Sequence, residues 1–205
     1  MIFARHSPTA FACSACGEKY LMPAWDVGYF LGKLPFGSKI ADADLMSMPV
    51  RPAWCKDCDK VCKAEDIAPL RVFENALGAT RAGVPIEYPF DSRDMDPAHV
   101  RNEMAAALAW RMARRGAARA LCCGGSNFQY LDVAQPLLKH AVCDFGFIEP
   151  VYEITIRSYC GPGPAAKTAV DVRIFDSEGE LVGSLSARNR DDATYDAEPT
   201  SYPRA

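Results

Sequence analysis

Two C-x-x-C pairs constrain this chain more than any other feature of its sequence. The first is Cys13-Ser-Ala-Cys16 and the second is Cys55-Lys-Asp-Cys58. The two-residue spacing lets both sulfurs of a pair converge on one ion in a tight turn, and two such turns complete the tetrahedral four-thiolate shell that zinc prefers. We therefore predict a metal site formed by Cys13, Cys16, Cys55 and Cys58.

The segment around these pairs, roughly residues 9 to 62, resembles a zinc ribbon. Gly17 follows the first pair, as expected for a knuckle turn that requires a positive φ. Phe11 and Trp54 precede the two pairs, and we expect their rings to shield the sulfurs from water. The resemblance implies one structural zinc ion held by the four cysteines, with a long insert between the two knuckles.

The number of cysteines and the N-terminal sequence together indicate the redox environment of the protein. There are nine cysteines, an odd number, and the N-terminus carries no apolar stretch of a secretory signal. We therefore expect a reducing, cytoplasmic location rather than a disulfide scaffold. A redox-active or iron–sulfur pair and inert buried thiols are the alternatives to zinc. Cys62 could replace Cys55 or Cys58 as a ligand but is treated as a spare, and Cys160 is expected to be buried without a partner.

A second cluster lies later in the chain. Cys122 and Cys123 are followed by His140-Ala-Val-Cys143, and a histidine and a cysteine at this spacing can share a tetrahedral ion with two upstream thiolates. The segment resembles a second, degenerate ribbon, because Ala120 stands where the regular partner of Cys123 would be. Adjacent side chains in extended chain point to opposite faces. A site that has lost its metal and packs as ordinary core is therefore the alternative.

One basic segment suggests a surface for a partner. Trp110, Arg111, Arg114 and Arg115 form a W-R-x-x-R-R motif, and Arg119 follows four residues later. Such a surface could hold phosphates while the indole stacks on a base. The alternative is a solvated helix face whose arginines pair with acidic residues. Together with the two ribbon-like segments, the motif is similar to small uncharacterised bacterial zinc-ribbon proteins, and this likeness implies a fold but no activity.

Composition narrows the possible partners. The chain has 205 residues and a net charge of -3, so we do not expect it to coat nucleic acid through bulk charge. No stretch reaches the ~18 apolar residues that a membrane helix needs, so we expect no membrane partner. Nucleotide-binding, metalloprotease and serine-hydrolase motifs are absent from the sequence.

The N-terminal half is predicted to contain a small ribbon, loops and one helix. Residues 11–20 are typical of a strand, a knuckle and a second strand, and residues 22–51 of a loop-rich stretch punctuated by glycine and proline. Apolar residues at helical spacing predict a helix over 66–82.

The clearest predicted helix begins at Asp96 and Pro97. An aspartate followed by proline is a typical N-cap and first helical residue, and the helix is expected to reach Arg115 with Gly116 at its C-terminal end.

The C-terminal third is predicted to be β-structure, because apolar and polar residues alternate over 152–157 and over a hairpin at 169–186. The fold class is therefore α+β: an N-terminal zinc ribbon with a long insert, two helices and a small C-terminal antiparallel sheet. The expected divisions are a ribbon over 1–64, a helical segment over 65–119, a ribbon-like knuckle with a sheet over 120–188 and a disordered tail over 189–205.

These features favour a non-enzymatic, zinc-stabilised interaction module that binds a protein or a nucleic acid, with the arginine-rich helix as the candidate contact surface. We expect one zinc ion, and a second if the later cluster is occupied. The alternative is a thiol-dependent enzyme that uses Cys122 or Cys123 as nucleophile and His140 as base.

Overall fold

A computed structural model describes residues 10–31, 39–41, 45–131, 138–143, 145–151, 171–185 and 194–196. The elements follow one another along the chain as β1 (Ala10–Cys13), β2 (Lys19–Leu21), β3 (Asp26–Phe30), β4 (Lys39–Ala41), β5 (Leu45–Met46), β6 (Val50–Cys55), β7 (Lys60–Glu65), α1 (Leu70–Arg81), α2 (Pro97–Ala113), β8 (Phe128–Tyr130), β9 (Leu138–Lys139), β10 (Phe147–Val151), β11 (Val172–Phe175), β12 (Leu181–Leu185) and β13 (Thr194–Asp196).

The N-terminal hairpin pairs with a hairpin from much later in the chain. Strands β1 and β2 are antiparallel, as are β9 and β10, and β1 and β10 join them into one sheet of order β2-β1-β10-β9. The register places Cys13 opposite Ile148. This sheet therefore unites two segments that lie more than a hundred residues apart in the sequence.

A second sheet forms in the same way from segments nearer to each other. The β6–β7 hairpin pairs through β6 with β8, so that Cys55 lies opposite Phe128. An isolated antiparallel bridge between Ala64 and Ala120 brings the chain before β8 alongside β7. Strands on both sides of the predicted divisions at residues 64 and 119 thus share sheets.

Four of the remaining described strands build a sheet of order β12-β11-β3-β5, and the other two, β4 and β13, form a separate two-stranded sheet. Strands β11 and β12 form the hairpin predicted over 169–186, and β11 runs parallel to β3. The strands β3, β4 and β5 lie in the stretch predicted as loop-rich. The prediction missed them because they are short and interrupted by turn-forming residues, and because β3 pairs with β11 and β4 with β13, both from the far end of the chain.

Both described helices lie close to their predicted positions. The carboxylate of Asp96 accepts a hydrogen bond from the backbone N–H of His99 at 2.9 Å, which confirms the predicted N-cap of α2. The helix ends at Ala113 rather than Arg115, because Arg114 adopts extended backbone geometry and turns its side chain into the core. The main core packs both helices against aromatic side chains that include Tyr29, Phe73 and Trp110.

The coarse fold class α+β is confirmed, with mostly antiparallel strands in the described residues. The strand predicted over 152–157 and Cys160 lie outside the described residues. Within the tail predicted to be disordered, β13 pairs antiparallel with β4. In the described ranges, every helix is too short or too polar to cross a membrane.

Candidate metal centres

Eight cysteine and histidine side chains of the described residues gather into two clusters that could each hold a metal ion. In each cluster the four candidate ligand atoms all lie within 4.8 Å of one another. We call them centre 1, formed by Cys13, Cys16, His140 and Cys143, and centre 2, formed by Cys55, Cys58, Cys122 and Cys123.

The structure divides the eight predicted ligands differently from the sequence interpretation. The sequence suggested one set of Cys13, Cys16, Cys55 and Cys58, and another of Cys122, Cys123, His140 and Cys143. The structure instead gives each C-x-x-C pair a partner from the later cluster. The physical reason is the strand pairing: β1 pairs with β10 and β6 pairs with β8, whereas the two early hairpins belong to different sheets. In the sequence, all four ligands of centre 2 therefore lie between the first two ligands of centre 1 and the last two.

Centre 1 is built from two knuckles that face each other across the β1–β10 pair. Backbone hydrogen bonds close the first knuckle from Cys13 N–H to the Glu18 carbonyl and from Gly17 N–H to the Cys13 carbonyl, both at 2.9 Å. Gly17 has φ of 74°, as the sequence predicted for this turn. The second knuckle is closed by the N–H of Cys143, which donates to the His140 carbonyl at 3.2 Å.

Gly146 lets the two knuckles approach closely. A Cβ atom at this position would lie 2.1 Å from the Cys13 sulfur and 3.2 Å from the Cys143 sulfur. Both distances are shorter than ordinary van der Waals contact. Centre 1 therefore requires glycine here for space rather than for an unusual backbone angle.

His140 is oriented by contacts on both ring nitrogens. Its Nδ1 lies 3.5 Å from the Cys16 sulfur, and its Nε2 lies 2.7 Å from the Tyr20 hydroxyl and 3.4 Å from a Glu18 carboxylate oxygen. The ring is buried, with 3% exposure. Hydrogen bonding at Nε2 directs Nδ1 toward the thiols, which is the arrangement expected of a metal-binding histidine with an outer partner.

Electrostatics in centre 1 favour one thiolate. A hydrogen bond from the backbone N–H of Cys16 is the main reason that the pKa of Cys13 falls to about 6. The pKa of Cys16 is raised even though the backbone at Glu18 lowers it, because hydrogen bonding and repulsion from Cys13 oppose a second negative charge. Burial raises the pKa of Tyr20, so its hydroxyl stays protonated.

Centre 2 brings four sulfurs together with close spacing. The Sγ atoms of Cys55 and Cys123 lie 3.6 Å apart, those of Cys58 and Cys122 lie 3.8 Å apart, and those of Cys122 and Cys123 lie 3.9 Å apart. The turn after Ala120 explains how neighbouring cysteines converge: the N–H groups of Cys123 and Gly124 both reach the Ala120 carbonyl. The expectation that these cysteines point apart applies to extended chain and not to this turn.

Polar contacts fasten the two turns of centre 2 to each other. The Asn127 side-chain amide donates to the Asp57 carboxylate at 2.8 Å, and the Lys56 N–H donates to the Asn127 carbonyl at 2.9 Å. A Cβ atom on Gly125 would lie 2.7 Å from an Asp57 oxygen and 3.3 Å from the Cys123 sulfur. The two turns of centre 2 thus also approach each other closely at a glycine.

One thiol of centre 2 is also favoured as a thiolate. Burial raises the pKa of Cys55, but hydrogen bonds from the Cys58 backbone and from the thiols of Cys123 and Cys122 outweigh burial and lower it overall. Burial and neighbouring sulfurs raise the pKa of Cys58. A hydrogen bond with Cys62 is the largest of several causes that raise the pKa of Cys122.

An aromatic contact connects the two centres. Trp54 immediately precedes Cys55, yet its ring packs into the core of centre 1 with Phe11, Cys13 and Ile148. The ring of Tyr20 meets that of Trp54 edge-on at 4.9 Å between centroids. Phe11 is fully buried and Trp54 is 6% exposed, so both rings predicted as shields are buried, but both shield centre 1.

The structure does not assemble the predicted arginine surface. Trp110 is fully buried, which leaves no ring face for a base. Arg114 is 4% exposed and forms an ion pair with Glu65, and Arg119 forms one with Glu180. Arg111 donates to the Ala68 carbonyl at 3.0 Å.

Arg115 alone of the five is exposed, and its backbone N–H donates to Glu178. Because α2 ends at Ala113, Arg114 turns inward, and the acceptors of Arg111 and Arg119 come from segments distant in the sequence.

Sequence reasoning missed the buried polar network around Glu65. Its carboxylate accepts hydrogen bonds from Arg114, from the Tyr29 hydroxyl at 3.0 Å and from the Arg119 N–H at 2.8 Å. Burial raises the pKa of Glu65, and the Arg114 charge opposes this effect. The partners lie 36 to 54 residues away, so no local signal in the sequence could have revealed the network.

The second knuckle of centre 1 also carries exposed apolar side chains. Val142 is 79% exposed, Phe145 is 87% exposed and Phe147 is 39% exposed. We call these three residues the knuckle patch: Val142 and Phe145 lie beside Cys143 in the sequence, and Phe147 is the first residue of β10. Their solvent exposure has an energetic cost that a binding partner would remove.

Comparisons with protein-family models, with curated proteins and with solved structures find no match to this chain. Its function therefore has to be inferred from the geometry of the two centres.

Proposed function

We propose that the chain is a non-enzymatic interaction module stabilised by two zinc ions, one in each centre. The sulfur spacing of centre 2 is the observation that carries this proposal. Tetrahedral zinc with Zn–S bonds of ~2.3 Å would hold its sulfurs ~3.8 Å apart. The three separations of 3.6, 3.8 and 3.9 Å between sulfurs of centre 2 fit this value.

The spacing of centre 1 supports the same metal. With bonds of ~2.3 Å to sulfur and ~2.0 Å to nitrogen, a tetrahedral zinc ion would hold a sulfur and a nitrogen ~3.5 Å apart. The Cys16 sulfur and His140 Nδ1 are separated by 3.5 Å. Three thiols and one imidazole form a common structural zinc set, and the Tyr20 and Glu18 contacts supply the outer partners that such a histidine uses.

The donor sets favour a structural role. Four protein ligands close the shell of each zinc ion and leave no position for water or substrate. The thiol-dependent alternative required Cys122 or Cys123 to work with His140, but these residues belong to different centres. Each zinc ion would join two distant segments, so metal binding would contribute directly to folding.

We infer that the partner is a protein rather than a nucleic acid. The knuckle patch offers apolar surface suited to apolar side chains of another protein, and centre 1 would hold its turn rigid. Phosphate and base contacts have less support, because Trp110 and Arg114 are buried in the core. An affinity that falls steeply with salt would instead indicate a nucleic-acid partner.

Paired substitutions combined with elemental analysis test both the metal and the ligand sets. The purified chain is expected to contain two zinc ions. The double variant Cys16→Ser/Cys143→Ser damages centre 1 alone and should retain one zinc ion. The matched double variant Cys16→Ser/Cys58→Ser damages both centres and should retain none. The opposite pattern would show that the ligands are divided as the sequence suggested, and a metal-free wild-type chain would overturn the proposal.

A further inference from the structure

The sheet of order β2-β1-β10-β9 has one face turned toward the core of centre 1. Phe11, Cys13 and Ile148 lie on that inner face and pack in the same cluster. Side chains alternate between the two faces along a strand, so Phe147 and Glu149 of β10 lie on the opposite, outer face. Both residues are exposed, whereas Ile148 between them is buried. Phe147 of the knuckle patch therefore belongs to the outer face of this sheet.

Two opposite charges flank Phe147 on the outer face. Lys139 of β9 lies directly opposite Phe147 in the antiparallel register, so the two side chains share a face. Glu149 follows Phe147 by two residues on the same strand. Lys139 and Glu149 are both exposed, and within the described ranges neither of them forms an ion pair. Both charges are therefore available to a partner.

The positions of these charges make the outer face complementary to a second copy of itself. Directly opposed residues of antiparallel strands lie ~5 Å apart, and residues two apart on one strand lie ~6.8 Å apart. Lys139 and Glu149 thus lie at similar distances from Phe147, one across the strands and the other along them.

A two-fold axis between two such facing sheets can satisfy both charges at once. When the axis passes over Phe147 and bisects the directions to Lys139 and Glu149, each Phe147 ring stacks on its copy. Each Lys139 then faces Glu149 of the partner subunit, so the dimer contains two identical ion pairs. The strands of the two sheets cross at ~90°, which is one of the two common arrangements for packed sheets.

We infer that the chain forms a symmetric dimer through the knuckle patch and the outer face, with Lys139 of each subunit paired to Glu149 of the partner subunit. This inference rests on the proposed function, because centre 1 would hold the knuckle and the sheet rigid. Val142 and Phe145 extend the apolar contact beyond Phe147. An isologous interface uses the same surface on both subunits and therefore requires self-complementarity, which the flanking charges supply. Because the surface is small, we expect a Kd on the order of 10 to 100 µM.

Sedimentation equilibrium of the zinc-loaded full chain, at concentrations that span this Kd, tests the dimer. Wild-type protein should change from monomer to dimer as its concentration increases. Lys139→Glu and Glu149→Lys each place like charges opposite each other, so each single variant should dimerise at least ~10-fold more weakly. Arg71→Glu is the matched control, because it reverses an exposed charge on α1, and it should behave like wild type.

An equimolar mixture of Lys139→Glu and Glu149→Lys gives the most specific result. In the mixed dimer, one subunit carries two acidic groups at these positions and the other carries two basic groups. Both ion pairs between the subunits are then attractive again, so the mixture should dimerise about as strongly as wild type. Only an interface in which position 139 faces position 149 predicts this recovery.

A third variant tests the apolar part of the contact. Phe145→Ser changes a side chain that is 87% exposed and is not a candidate ligand, so the fold and both centres should be retained. Loss of this aromatic surface should weaken the dimer at least ~10-fold. Elemental analysis of every variant checks that two zinc ions are present.

The outcomes separate this inference from the proposed function. Fewer than two zinc ions in the wild-type chain would overturn the two-zinc proposal, whatever its oligomeric state. A wild-type chain with two zinc ions that stays monomeric well above the expected Kd would overturn only the dimer and would assign the knuckle patch to another protein. Single charge variants that dimerise like wild type, or a mixture that does not recover, would also reject it. If a charge variant loses zinc, Phe145→Ser decides alone, and undiminished dimerisation of that variant rejects the inference.

Discussion

Each of the two centres brings four candidate ligands together, but the protein that packs around them differs. Centre 2 lies on the β6–β7 hairpin, whose last residue, Glu65, is held in the interior by Arg114. Centre 1 lies on the sheet β2-β1-β10-β9, and its own core is a small cluster around Phe11, Trp54 and Ile148. We infer that centre 1 relies more on its metal, whereas centre 2 is also supported by the main core.

The length of chain between the ligands also differs between the two centres. The ligands of centre 1 that make contact, Cys16 and His140, are 124 residues apart, whereas Cys55 and Cys123 of centre 2 are 68 residues apart. A longer closed loop costs more conformational entropy, although the cost increases only slowly with length. The support from packing is therefore the larger difference between the centres, and the following predictions test it.

The largest effect is expected from Gly146→Ala. The new Cβ atom would overlap the Cys13 sulfur, so the knuckles of centre 1 would have to separate and that zinc ion would be lost. Elemental analysis should find one zinc ion per chain, and centre 2 should be intact. Gly78→Ala is the control, because that glycine lies in α1 with nothing within 4 Å of an added Cβ, and the variant should keep both ions. Full zinc content in Gly146→Ala would show that the knuckles adapt easily.

The next effect concerns the support of centre 2. Arg114→Ala leaves the Glu65 carboxylate buried without its ion-pair partner, which should lower the free energy of unfolding by about 3 to 5 kcal/mol. Denaturant unfolding of the zinc-loaded protein measures the change. Arg93→Ala removes an exposed ion pair with Asp91 and should change the free energy of unfolding far less, because solvent screens this pair. Equal losses in both variants would contradict the importance of the buried pair for the main core.

A smaller effect, on metal affinity, is expected at centre 1 alone when its histidine loses a hydrogen-bond partner. Tyr20→Phe removes the hydroxyl 2.7 Å from His140 Nε2 while keeping the ring against Trp54. Loss of such a partner lowers metal affinity by about 10- to 100-fold. Competition with a chelator of known affinity should show weaker binding of one zinc ion and unchanged binding of the other. Equal weakening at both centres would contradict the assignment of the Tyr20 hydroxyl as an outer partner of centre 1 alone.

The smallest effect is a pH-dependent one at the end of α2. The carboxylate of Glu178 accepts hydrogen bonds from the N–H groups of Arg115 and Gly116, chiefly the former, and these lower its pKa. A lowered pKa in the folded state stabilises the protein above the pKa of the unfolded state, and this stabilisation is lost as the pH falls through the folded value. Glu178→Gln should therefore melt slightly below wild type at neutral pH. The two melting temperatures should converge in acid, and a constant difference at every pH would contradict this origin.

Local features of the structure were largely predictable from the sequence. The C-x-x-C turns, the positive φ of Gly17 and the Asp96 N-cap depend on contacts within a few residues, and the structure confirms each of them. The hairpin over 169–186 was predictable for the same reason. The strands in residues 22–51 were not, because β3 pairs with β11 and β4 with β13, and both partners lie far along the chain.

The sequence by itself determined which eight side chains gather in the two clusters and that each C-x-x-C pair forms one turn. Those properties follow from residue chemistry and short spacing. Only the tertiary structure decided that Cys13 and Cys16 meet His140 and Cys143, and that Arg114 lies inside the protein. Both properties depend on strand pairing and burial. These bring together residues that are far apart in the sequence, and such contacts leave no pattern in the local sequence.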